Sequence, residues 1–179
     1  RMILDACCGS QRMWRLVPKD YIGVDITVRQ PEMIKYSNCE RLAPAIRPTV
    51  QADVKHLPFR DEVFDFAYFD PPHLNLKKHA FLWRLCGGAT RSEFQSLIIL
   101  GGRELKRVLK DGGLLFSKMS EHDKEGRDHV MSISFVEQIL SALGFELYSK
   151  TARISRSYKS RNKVAWLNFR KPESSSLFA

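Results

Sequence analysis

The chain predicts an α/β fold on a mostly parallel sheet, and three observations carry that prediction. Short apolar runs recur at Met2–Ala6, Tyr21–Ile26 and Val63–Phe69, with a shorter one around Thr49–Ala52, as expected of strands covered on both faces. Two longer stretches, Ser92–Leu109 and Val130–Leu143, repeat apolar residues at helical spacing. An acid closes or follows each of three successive strands, at Asp5, Asp25 and Asp53.

Composition narrows the setting. The 179 residues suit one domain, assigned to residues 1–171 with a flexible tail over 172–179, and a hydrophobic share of 44% suffices for a core. A formal charge of +9, from 29 basic against 20 acidic residues, favours a polyanionic partner. Cys7, Cys8, Cys39 and Cys86 have no paired spacing of the metal-binding or redox kind, so reduced thiols in an intracellular protein are expected rather than a disulfide framework or a zinc site. No apolar run approaches the roughly 18 residues of a membrane span and no secretory leader pattern opens the chain, which points to a cytoplasmic protein with no membrane partner.

Taken in order, Met2–Ala6 is a strand running into the small residues Cys7-Cys8-Gly9-Ser10, a turn over which backbone amides can approach a ligand. Tyr21–Ile26 is the second strand, and Asp25, about twenty residues past Asp5, stands where nucleoside-binding α/β folds take two ribose hydroxyls. Thr27–Leu42 is mixed in character and is read either as a helix after Pro31 or as a loop. Val63–Phe69 ends at Asp70-Pro71-Pro72-His73. Each proline fixes its own φ and lacks an N–H, and Asp70 is pushed to extended geometry by the proline after it. That stiff strand end sets a carboxylate beside the Pro71 carbonyl, two acceptors suited to one NH2 group.

Downstream, Leu74–Thr90 is too long for a plain connection, and Gly87-Gly88 would let it move as a lid. Its Lys77, Lys78 and Arg84, interleaved with Phe81 and Trp83, fit either a phosphate-and-base surface or the solvated side of a short packed helix. Ser92–Leu109 is an amphipathic helix with Ser92 as N-cap, a weak point at Gly101-Gly102 and a stop at Asp111-Gly112-Gly113. Leu114–Lys118 is the next core strand, Val130–Leu143 the last helix, and Phe145–Ile154 with Val164–Phe169 a closing strand pair. Between those two strands Arg153, Arg156, Lys159, Arg161 and Lys163 gather with Tyr158 and no acid, which fits a phosphate-contacting hairpin.

Asp70-Pro71-Pro72-His73 resembles the catalytic motif of the class I amino-methyltransferases, Asp/Asn/Ser-Pro-Pro followed by Tyr, Phe or Trp, with His73 as a departure. Asp5-Ala6-Cys7-Cys8-Gly9-Ser10-Gln11 is similar to that family's first motif, Asp-x-Phe/Cys-x-Gly-x-Gly, matching at Asp5, Cys7 and Gly9 and departing at Gln11. The resemblance implies a Rossmann-like methyltransferase fold of seven strands, with an antiparallel last strand and helices on both faces. It also implies S-adenosyl-L-methionine as cofactor. Asp5, Cys7 and Gly9 would lie at its methionine end, Asp25 at the ribose, and Asp53 with the Val54 N–H at the adenine. Asp70, Pro71, Pro72 and His73 would be catalytic, with no metal required. The implied reaction methylates an exocyclic amino group of a base, adenine N6 foremost. RNA is slightly favoured over DNA, with Lys77, Lys78, Arg84, Arg156, Lys159, Arg161 and Lys163 binding substrate and a protein partner aiding target choice. Two alternatives stand beside this reading: a catalytically silent fold that binds nucleic acid or supports a partner, favoured by Gln11 and His73, and an enzyme for a small molecule or a protein amide.

Overall fold

A computed structural model describes residues 1–9, 20–36, 39–72, 83, 87–122, 132–157 and 160–174, with backbone alone at 36, 39, 41, 121–122, 155–157 and 160–162. The short apolar runs form β1 (Ile3–Asp5), β2 (Tyr21–Asp25), β5 (Val50–Gln51) and β6 (Phe64–Phe69). Longer strands follow: β7 (Leu109–His122), β8 (Glu146–Ser157) and β9 (Ser160–Arg170). Together they make one seven-stranded sheet in the order β5-β2-β1-β6-β7-β9-β8. Pairing is parallel from β5 through β7, while β9 runs antiparallel to both of its neighbours, as expected of the last strand. From β1 the chain winds outward to β2 and β5, then returns to the other side of β1 for β6 and β7. The crevice outside the C-terminal ends of β1 and β6 is therefore the switch point where α/β sheets hold ligands.

Helix α1 (Arg91–Val108) and helix α2 (Ile133–Ala142) bury Phe94, Ile98, Leu105 and Val108, and Ile133, Val136 and Leu140, in one core with Leu4, Ala67, Phe69, Leu115, Leu167 and Phe169. Each fully buried Leu or Phe contributes about 1.5–3 kcal/mol. These sheet residues alternate with Asp5, Tyr68, Lys118 and Trp166, so α1 and α2 cover one face and the latter four positions belong to the other. The expectation of helices on that second face falls on segments outside the described residues.

Three readings of local structure are corrected. Thr27–Leu42 holds neither the helix nor the plain loop: β3 (Glu32–Tyr36) and β4 (Cys39–Ala43) form an antiparallel hairpin. Its alternation is of period two, with Ile34 and Ala43 buried while the paired Met33 and Leu42 are exposed. The N-cap of α1 is Thr90, not Ser92, because Glu93 completes a capping box: Thr90 Oγ1 accepts from the Glu93 N–H at 3.3 Å and Glu93 Oε2 from the Thr90 N–H at 2.8 Å. The helix ends at Val108, within one residue of the expected Leu109, but the glycines do not stop it: Leu109 is already extended and residues 110–113 form a bulge within β7, with Gly112 at φ +72°. Gly101-Gly102 lies inside an unbroken helix and serves close packing. A Cβ at Gly101 would stand 3.3 Å from Val54 and 3.6 Å from Phe69, and one at Gly102 would stand 2.7 Å from Leu143.

The closing strands are longer than expected and carry the sheet past the level of Asp70. The β7–β9 ladder continues to His122 opposite Asn162, and the β8–β9 ladder to Ser157 opposite Ser160. Residues 171–174 return along β7, where the Lys171 N–H donates to the Gly113 carbonyl and the Ser174 N–H to Asp111.

Candidate active site

The acids converge because neighbouring strands end together. Asp5 stands opposite Gly23 of β2 and Tyr68 of β6, and Asp25 stands opposite Gln51 of β5. After β1 the chain crosses between its neighbours: the Ala6 N–H donates to the Tyr68 carbonyl at 2.9 Å and the Cys8 N–H to the Val24 carbonyl at 3.0 Å. Gly9 then turns with φ +48°, a left-handed conformation suited to glycine, and a Cβ placed there would meet no described atom within 4 Å. The turn is held by Asp25, whose Oδ2 accepts from the Gly9 N–H at 2.9 Å while its Oδ1 accepts from the Thr27 N–H at 2.8 Å.

Asp53 follows β5 and caps its own turn. Its Oδ1 accepts from the Lys55 N–H at 3.0 Å, and Lys55 Nζ lies 3.4 Å from Oδ2. Val54 beside it is buried in the core. The Ala52 N–H donates to the Asp25 carbonyl at 3.1 Å, joining these two acid-bearing segments. Behind them Arg107 of α1 donates to the Leu57 and Phe59 carbonyls, to Asp61 and to Glu104, while Glu104 Oε2 accepts from the Leu57 N–H at 2.8 Å.

Asp70 emerges from β6 as its strand end predicted, followed by buried Pro71 and half-buried Pro72. Gly87, at φ +75°, rests against Pro72, its notional Cβ 3.5 Å from the ring. Asp70 Oδ2 accepts from Lys118 Nζ at 2.8 Å, and about a fifth of each side chain remains accessible (19% and 24%). Lys118 was not singled out in the sequence. Its signal is positional: it closes the apolar run Leu114–Ser117, and the β6–β7 register that sets Phe69 opposite Ser117 brings Lys118 beside Asp70. Lys118 in turn stands opposite Trp166 of β9, whose ring centroid is 5.7 Å from that of Tyr68.

The electrostatics report the same convergence. Burial pushes the Cys7 thiol well up, and Asp25, Asp5 and Asp70 push it further, in that order. Burial likewise raises the Tyr68 phenol, helped by Asp70 and then Asp5. The structure thus brings Asp5, Cys7, Gly9, Asp25 and Asp70 together at the C-terminal ends of β1, β2 and β6 and adds Tyr68, Lys118 and Trp166. His73, Lys77, Lys78, Arg84 and Lys159, together with Gln11, lie outside the described residues. Arg156 and Arg161 face each other across the β8–β9 ladder, with only their backbone described. Exposed Lys163 alternates to the side of buried Ala165 and Leu167, whereas exposed Arg153, opposite Val164, alternates to the side of Trp166.

Comparison with solved structures places this architecture. A structure described as the [4+2]-cyclase SpnF covers 96% of the chain, and 74% of its own, with TM-score 0.60 at 16% identity. An S-adenosylmethionine-dependent methyltransferase from Methanosarcina mazei covers 96% and 92%, with TM-score 0.58 at 18% identity. The N-methyltransferase NodS from Bradyrhizobium japonicum covers 96% and 86%, with TM-score 0.58 at 16% identity, and its complex with S-adenosyl-L-homocysteine matches with TM-score 0.57. The chain has a methyltransferase fold. A family model described as a methyltransferase domain matches residues 4–71, which run from β1 to Pro71 and include Asp5, Asp25, Asp53 and Asp70. A search of curated proteins gave no match. Because the neighbours of this methyltransferase fold include a cyclase, the fold leaves the reaction to be argued from the site.

Proposed function

We infer that the chain is an S-adenosyl-L-methionine-dependent N-methyltransferase acting on an exocyclic amino group of a nucleic-acid base, adenine N6 foremost, with RNA favoured over DNA. The observation that carries this reading is Asp70 on a proline-stiffened strand end, in one crevice with Asp5 and Asp25.

No described atom stands within 4 Å of a Cβ placed at Gly9, and the acids at the strand ends suit an ammonium, ribose hydroxyls and a sulfonium. Each oxygen of Asp25 accepts one backbone N–H and keeps a second lone pair for a ribose hydroxyl. Asp53, already bonded to Lys55, has the same spare capacity for an adenine amino group. When bound, S-adenosyl-L-methionine supplies an electrophilic methyl carbon, whose bonding pair stays with sulfur as the thioether forms.

An exocyclic NH2 is a poor nucleophile because its lone pair is delocalised into the ring. Asp70 and the Pro71 carbonyl would accept its two N–H bonds and favour the pyramidal nitrogen from which the lone pair attacks in line. The positive charge that develops on nitrogen strengthens both bonds, so they act chiefly on the transition state. Asp70 then stands ready to take the proton that the methylated nitrogen sheds. The base must leave its stack to reach this corner, with His73 proposed to lie against its face. The β7–β9–β8 extension, with exposed Arg153 on the side of Trp166, supports a polyanionic substrate beside the crevice, and a protein partner would add target choice.

One observation favours the silent fold as a second reading: Lys118 already occupies Asp70 Oδ2. Calorimetry with S-adenosyl-L-methionine separates the two, since a silent module without cofactor affinity shows no heat. Incubation with labelled cofactor and total RNA or DNA, followed by nucleoside analysis, then tests the substrate. Label in N6-methyladenosine supports the assignment; label in protein alone overturns it. Asp70→Ala is expected to abolish turnover while sparing cofactor affinity.

A further inference from the structure

Lys118 has no counterpart in the two-acceptor scheme, yet it donates a hydrogen bond to the acid that scheme depends on. Among the described residues Lys118 of β7 bonds Asp70, while Asp70 acts together with Asp5 on the Tyr68 phenol of β6 and with Asp25 and Asp5 on the Cys7 thiol at the end of β1. The contact is a charge-assisted bond at 2.8 Å with both partners mostly withdrawn from water, so it holds one carboxylate oxygen in a fixed direction.

We propose that Lys118 is a positioning and substrate-selecting residue: it fixes Asp70 and offsets its charge, so that the site takes a neutral NH2 and turns away an alkylammonium. This rests on the methyltransferase reading above. Two consequences of the geometry carry it. With Oδ2 engaged, the carboxylate is oriented for an incoming N–H as a hydrogen-bond acceptor rather than as a bare charge. An unpaired carboxylate among further acids would attract cations strongly, and a protonated amine has no lone pair to attack with; an ammonium already seated on Asp70 removes that attraction and repels a second one. Base and amide NH2 groups are neutral and meet no such repulsion.

The test uses the purified full chain as wild type, K118M and K118R, with labelled cofactor and two acceptors, an adenine-rich oligoribonucleotide and putrescine. K118M is expected to lose about tenfold or more in kcat on the oligonucleotide, the loss typical of one bond to a charged group. Its relative use of putrescine should rise, its cofactor affinity should stay unchanged, and K118R should keep the wild-type preference. An unaltered preference ratio in K118M overturns the proposal and leaves the methyltransferase reading standing. Wild-type preference for putrescine does the same. If no protein transfers methyl to either acceptor, the functional reading itself fails, and a crystal structure of K118M decides the positioning role. An Asp70 carboxylate turned from its wild-type direction supports it, and an unmoved one overturns it.

Discussion

The residues that hold the crevice do so through acceptor counts, and those counts are testable. Asp25 takes two backbone N–H groups, one on each oxygen. Asp25→Asn replaces one acceptor with an NH2, which must then face either the Gly9 or the Thr27 donor. A loss of about 1–3 kcal/mol in stability is expected, together with weaker cofactor binding, read by thermal unfolding and calorimetry. Cys7 gives a second prediction. Its thiol is pushed up by burial and by Asp25, Asp5 and Asp70, so the reactive thiolate is scarcer at any given pH than for a free cysteine. Iodoacetamide should label Cys7 more slowly than free cysteine at pH 8, as followed by peptide mapping. At this scale the acids were legible in the sequence because each ends a short apolar run, a local signal. Lys118 was not, because its partner lies 48 positions away and is reached only through the parallel register of β6 and β7.

Between elements, two contacts fix how α1 supports the crevice. Arg107 ties α1 to the segment from Leu57 to Asp61, which follows Asp53. Bonds from the Arg107 side chain are the main reason the Glu104 carboxyl sits below its ordinary value of 4.5, aided by the Leu57 N–H. A carboxylate with a lowered native value binds fewer protons folded than unfolded. Its stabilisation is therefore present above that ordinary value and is lost as pH falls through the lowered one. Urea unfolding at stepped pH should show Glu104→Gln less stable at neutral pH, with the difference from wild type shrinking in acid. The second contact is Gly101, set against Val54 and Phe69. Gly101→Val should overpack this seam at a cost of about 1–3 kcal/mol, lowering the melting temperature. The sequence reading treated Gly101-Gly102 as a weakness because helix propensity is a local quantity; the contacts that make small residues useful there come from Val54, Phe69 and Leu143, all distant in the chain. For the same reason Thr27–Leu42 resisted assignment, its pairing being visible only once Met33 stands opposite Leu42.

Across the whole molecule, the strand set and its order of hydrophobic runs were readable because a buried parallel sheet needs continuous apolar strands, and the seven-stranded sheet is observed. The length of β7, β8 and β9 was not, since their outer halves are polar and owe their form to pairing with one another. The excess of positive charge belongs to this scale as well. If the partner is a nucleic acid, the logarithm of the binding constant should fall linearly with the logarithm of salt concentration, a slope read by fluorescence anisotropy. Among the described helices none is long and apolar enough to cross a membrane.

The placement of β9 also bears on how the protein is made. β8 bonds to the sheet only through β9, yet it leaves the ribosome first. During synthesis β5, β2, β1 and β6 can assemble early, while β7 and β8 wait with open edges until Ser160–Arg170 slides between them. That interval is when the nascent chain is most exposed to wrong pairing.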